Sequence, residues 1–199
     1  MDLFAVHSFA FFNLWLLMVL YTLPILLTVI FHGHLFHQTS ARFMSSRNAL
    51  ERRLFIVSKF FMLFYFLYAT LLPLRLDSIW EILGLIIYGI GFAFYSTAWK
   101  VIATSERGKV FCNGPFRVSR HPVYLSSAVM FIGAGFASGS WFFLGFSLLV
   151  GLSHMRNALA EEQVCLETFG DEYRRYMTST PRWFGCPAPK PNCSDPGSS

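Results

Sequence analysis

The stretch ILGLIIYGIGFAFYST, residues 82–97, decides the fold. No charge interrupts it, so a helix built from it is apolar on every side. Such a helix has no face for water, and lipid is its natural surrounding. Residues 9–31 have the same character, and so do residues 54–74 apart from Lys59. Each run approaches the roughly 20 residues that cross a hydrocarbon core of about 30 Å. Two shorter apolar segments follow, and the five are expected over about 4–31, 54–76, 80–103, 122–137 and 140–155. The expected fold is therefore all-α: a polytopic bundle of about five transmembrane helices with a cytoplasmic helical segment at the C-terminal end.

Composition agrees. The chain is 54% apolar and 14% charged, whereas a soluble domain carries about 25% charged residues. The first run lacks a basic region ahead of it, with only Asp2 there, and is too long for a cleaved signal. It is expected to remain as a helix, bent at Pro24. The net charge of +5 is explained by loop placement, without nucleic acid as a partner. Fourteen of the 16 basic residues fall after segments one, three and five, and Arg75 alone lies on the other side. Basic loops stay in the cytoplasm, so the C-terminus is expected there and the N-terminus outside.

Four cysteines show no metal-ligand spacing, and their side assignment predicts reduced thiols. No metal site is expected. His32, His34 and His37 cluster at the end of segment one, without an acidic neighbour, and read as interfacial residues. Gly135 and Gly139 give a small-residue spacing that lets the last two segments approach as a tight hairpin. Residues 1–184 form one domain, with the recognisable chemistry in 108–184, and the Pro-, Gly- and Ser-rich 185–199 is expected to be a disordered tail.

That chemistry begins with GPFRVSRHPVY, residues 114–124. Pro122 holds His121 extended and suits the first position of a helix. Segment four thus starts near Pro122, with His121 at its mouth and Tyr124 in its first turn. The open amides and positive dipole of that end attract an anion, and Arg117 and Arg120 reinforce the sign. On the bland alternative, the arginines anchor the loop and His121 only caps the helix.

The second motif is Glu161-Glu162. Met155, Leu159, Glu162, Leu166, Phe169, Tyr173 and Tyr176 are spaced by three and four and share one face if the helix continues. The pattern aims Glu162 inward, where a carboxylate needs a partner. It is either half of a structural ion pair or the holder of a cation. Phe169-Gly170-Asp171 reads as a helix stop with a new start, giving a short helix over about 171–177. Its aromatics, with Trp183 and Phe184, also suit an interfacial belt.

Together these motifs resemble the isoprenylcysteine carboxyl methyltransferase and phospholipid methyltransferase superfamily. The resemblance rests on Gly114-Pro115-Phe116-Arg117, Arg120-His121-Pro122-x-Tyr124, Glu161-Glu162, the run from Phe169 to Tyr176, and Pro181-Arg182. It implies S-adenosylmethionine as cofactor and a lipophilic acceptor reached from the bilayer: a prenylcysteine carboxylate, a phospholipid amine, or a small lipophilic thiol or acid. It implies that Glu161, Glu162 and Arg120 are catalytic, and that His121, Tyr124, Pro122, Arg117, Glu162 and Tyr173 hold the cofactor. Membrane reductases that act on sterols with a reduced nicotinamide carry a similar Arg-His-Pro, continued as Asn-Tyr-x-Gly-Glu. Here Val123-Tyr124-Leu125-Ser126-Ser127 follows, which favours the methyltransferase. A non-catalytic membrane scaffold is the reading from another class.

Overall fold

The structure is a computed structural model that describes residues 13–45, 49–74, 76–105 and 109–185, with the side chains of 32–51 left aside. Among the described residues it is all-α, with six helices and no strand: α1 (Trp15–Ser45), α2 (Ala49–Ala69), α3 (Ile79–Thr104), α4 (Pro122–Ala137), α5 (Trp141–Phe169) and α6 (Asp171–Ser179). A 3-10 turn, Gly114–Arg117, precedes α4. The side chains of His32, His34 and His37 and the tail beyond Gly185 lie outside the described residues.

Among the described residues two helices, α3 and α5, are long and apolar enough to cross a membrane, while Trp15–Phe31 of α1 and the whole of α4 are shorter apolar helices. Large apolar side chains face outward on α1, α2, α3 and α5, among them Ile30, Phe60, Ile90 and Leu149, each more than 60% exposed. Soluble monomers rarely expose so continuous an apolar surface. α4 is the inner helix, with Met130, Phe131, Ala134 and Ala137 buried between α3 and α5.

Small residues set how closely the helices approach. A Cβ on Gly133 would fall 2.5 Å from the Tyr88 amide nitrogen and 2.8 Å from the Gly84 carbonyl oxygen. α3 and α4 therefore touch backbone to backbone. The glycine spacing read from sequence works differently from a shared helix seam. Gly135 does lie against Leu144 of α5, but Gly139 sits in the turn at φ +62. The hairpin turns there because only glycine adopts that conformation without strain. Ser140 then caps α5, its hydroxyl accepting from the Phe143 amide at 3.3 Å.

α3 begins at a capping box in which Ser78 and Glu81 satisfy each other's open amides. The second segment ends earlier than expected. α2 stops at Ala69, and the chain from Thr70 to Pro73 turns to pair with Asn13 and Leu14. Pro73 has no N–H to extend a helix.

Candidate functional site

α4 starts at Pro122, as its sequence dictates, with His121 at the cap position. The imidazole makes no capping bond. It turns instead toward α5, where Nε2 lies 3.2 Å from Glu162 Oε1. Capping falls away as its role.

α5 runs without a break to Phe169, so Glu161 and Glu162 lie beyond its apolar part, which ends near residue 155. Glu162 is 4% exposed. Leu144, Ser147, Gly151 and Ala158 are the other buried positions on this side of α5. Leu159, placed on that face by spacing, is 46% exposed, which corrects the reading. A seven-position list of threes and fours drifts around a helix of 3.6 residues per turn, and the contact here follows 151, 158 and 162. Tyr173 and Tyr176 are buried as expected, but on α6, after Gly170 breaks the helix at φ +51.

Three cationic or polar side chains from two distant segments meet on the Glu162 carboxylate. Arg120 approaches Oε1 at 3.1 Å. Arg182 grips both oxygens, donating from Nε at 3.1 Å to each and from its terminal nitrogen to Oε2 at 2.8 Å. His121 completes the set. Burial by itself would raise the Glu162 pKa from 4.5. The hydrogen bonds from His121 and Arg182 and the charge of Arg120 outweigh it and hold the pKa at about 2. The same contact raises Arg182 above its ordinary value. Two guanidinium groups against one carboxylate leave the cluster net positive, beside the open amides of α4.

The backbone holds these groups in register. The Arg120 amide donates to the Pro181 carbonyl at 3.0 Å, and the Gly185 amide to that of Val118 at 3.2 Å. Ser119 is fully buried; its hydroxyl donates to the Arg182 carbonyl and accepts from the His121 amide, both at 3.1 Å. Tyr176 ties α6 to the same loop by donating to the Phe116 carbonyl at 2.6 Å. The closing segment after α6 therefore straps the Arg-His-Pro loop. Aromatic rings surround His121, with Tyr124 at 5.9 Å and Trp183 at 6.0 Å between centroids. Tyr124 in turn meets His154 of α5 at 5.6 Å.

Among the expected site residues, Arg120, His121, Pro122 and Glu162 come together, with Tyr124 alongside. Glu161 is half-buried next to them and makes no ion pair among the described residues. Arg117 is exposed on the 3-10 turn and, among the described residues, makes no hydrogen bond or ion pair with the cluster. Tyr173 packs with Val110, Cys112 and Tyr176 in a small apolar cluster of its own. Arg182, His154 and Trp183 were not singled out as site residues. The demand of a buried carboxylate for a partner, with Arg182 in the closing Pro-Arg pair, was the available signal. Cys112 is disulfide-bonded, which corrects the expectation of four reduced thiols. That expectation came from compartment alone, and a side assignment does not say which sulfurs the fold brings within bonding distance. Cys165 is the free thiol among the described residues, and burial, with the charge of Glu161, pushes its pKa up to about 12.

The depressed pKa of Glu162 has a signed consequence. The folded state favours the ionised carboxylate, so its contribution is fully present above pH 4.5 and is lost as pH falls toward about 2. Thermal unfolding followed from pH 6 to pH 2 should show this fall, and its slope between those two pKa values should flatten in Glu162→Gln. Parallel profiles would mean that the carboxylate is not held as described.

Residues 79–172 match the phospholipid methyltransferase family, a little under half of the chain. No curated protein matches the chain.

Proposed function

Residues 79–172 belong to the isoprenylcysteine and phospholipid methyltransferase superfamily, and from that premise we propose that the chain is an S-adenosylmethionine-dependent methyltransferase acting on a lipophilic acceptor in the membrane. The family is a membrane-associated methyltransferase family. The observation that carries the reading is the convergence of Arg120, His121, Glu162 and Arg182, because these are the residues of the shared motifs.

The donor set fits the cofactor. Arg120 Nε and Thr180 Oγ1 are buried without a partner among the described residues, and the Arg182 side chain is 41% exposed. Arg120, Arg182 and the first amides of α4 suit a carboxylate, and Glu161 suits an ammonium. Tyr124 and Trp183 offer aromatic faces to a sulfonium. When bound, S-adenosylmethionine supplies an electrophilic methyl group. Glu162, already held by two guanidinium groups, acts as a positioning residue that fixes Arg120 and His121. Holding reactants in one geometry is worth up to about 7–11 kcal/mol in ideal cases. Glu161, a carboxylate without an ion pair among the described residues, would also take the proton of a neutral nucleophile.

All five long helices cross the bilayer in this reading. α4, at 16 residues, covers only about 24 Å and lies within the bundle. In this reading the cluster faces the cytoplasm, with the N-terminus outside and the C-terminus inside, and the distribution of basic residues supports it. Residues 1–184 act as one domain.

Calorimetry on the purified protein should show binding of S-adenosylmethionine and of its demethylated product, and none of a reduced nicotinamide. Nicotinamide binding alone would replace this reading with the reductase one. Binding of neither would favour a non-catalytic scaffold.

A further inference from the structure

Away from the Glu162 cluster, α1 and α3 part to leave a groove of about 310 Å³. Leu23, Leu27 and Phe31 line it from α1, and Phe92, Ser96 and Lys100 from α3. No acidic residue is among its lining residues. Tyr95, next to Ser96, is not among the lining residues; it stacks on Tyr21 at 5.1 Å, and Tyr21 in turn meets His154.

The α3 wall has an ordered chemistry. Phe92, Ser96 and Lys100 are four residues apart, hence on one face, with about 6 Å of rise between each and the next. Lys100 lies near the end of α3, where a helix leaves the bilayer; Ser96 is one turn deeper and Phe92 one deeper again. The Ser96 hydroxyl oxygen is buried and has no hydrogen-bond partner among the described residues. Serine and threonine in helices commonly return their hydroxyl to a carbonyl of the preceding turn. On this helix Thr97 and Thr104 do so, to Ala93 and Lys100. In hydrocarbon a covered hydroxyl without a partner is costly.

Reading inward, the wall thus offers a cation, a hydroxyl donor and an apolar channel. A glycerophospholipid presents the same order: phosphate, ester carbonyl, acyl chain. We propose that this groove holds one acyl chain of an anionic glycerophospholipid from the surrounding leaflet, its phosphate at Lys100 and its ester carbonyl accepting from Ser96. The seat is independent of methyl transfer, since none of the cluster residues lines it.

Native mass spectrometry of the full chain in mild detergent tests this with three probes of equal chain length: diacyl phosphatidylglycerol, diacyl phosphatidylcholine and diether phosphatidylglycerol. One phosphatidylglycerol should be retained about fivefold over phosphatidylcholine, the effect of one lysine facing an anionic lipid. The diester should be retained over the diether. Lys100→Gln, at an exposed position, should abolish the headgroup preference alone, and Ser96→Ala the ester preference alone. Unchanged thermal unfolding of both variants certifies their fold. Equal retention of the three probes by the wild type overturns the proposal. So does a preference that survives its own substitution.

Discussion

Glu162→Gln should cost about 3–5 kcal/mol of stability and remove cofactor binding, whereas Glu167→Gln should leave both within error. Removing one partner of a buried pair leaves the other charge uncompensated, and this accounts for the magnitude. The stranded group is Arg120, whose side chain is 8% exposed and whose Nε already lacks a partner among the described residues. Arg182 is closer to solvent and contributes less to the penalty. Glutamine keeps the shape of the side chain but cannot hold two guanidinium groups as a carboxylate does. Glu167 is exposed on the same helix, and a surface change of this kind is worth about 0.5 kcal/mol or less. Thermal unfolding in detergent, with cofactor titration, measures both. Equal and small effects would show that the carboxylate does not organise the site.

Gly133→Leu should separate α3 from α4 and destabilise the fold by about 3 kcal/mol, the upper end for overpacking. The obstructing atoms are backbone, the Tyr88 amide nitrogen and the Gly84 carbonyl oxygen, so no side chain can swing aside. Gly89→Leu provides the contrast, because a Cβ there meets nothing within 4 Å. It should be neutral or slightly stabilising, since leucine favours helix over glycine. Unfolding temperatures of the two variants in one detergent check the pair. A Gly133→Leu protein as stable as the wild type would mean that α3 and α4 do not meet backbone to backbone.

Local rules carried far into this fold. The start of α4 followed from what proline does to its own backbone and that of His121. The end of α5 at Gly170 followed from a positive φ that glycine tolerates, and the inward direction of Glu162 from helical spacing. What local rules lacked was the third dimension. Arg182 reaches Glu162 across 20 residues because α6 and the strap after it fold back on the Arg-His-Pro loop. Nothing in a spacing pattern states that return. Leu159 was misplaced because a face inferred from seven positions is wider than the strip that touches a neighbour. Gly84 and Gly133 lie on separate helices, so their approach is invisible to a within-helix glycine motif.

In the proposed function the Glu162 cluster serves methyl transfer to a lipophilic acceptor. Its most direct test is to incubate the membrane-embedded protein with methyl-labelled S-adenosylmethionine and a total extract of lipids and membrane proteins. Label is expected in an apolar, extractable product or in a lipid-modified protein, formed by the wild type and lost in Glu161→Gln and Glu162→Gln. Label that never exceeds that of the Glu162→Gln protein, while the folded wild type is present throughout, would contradict it.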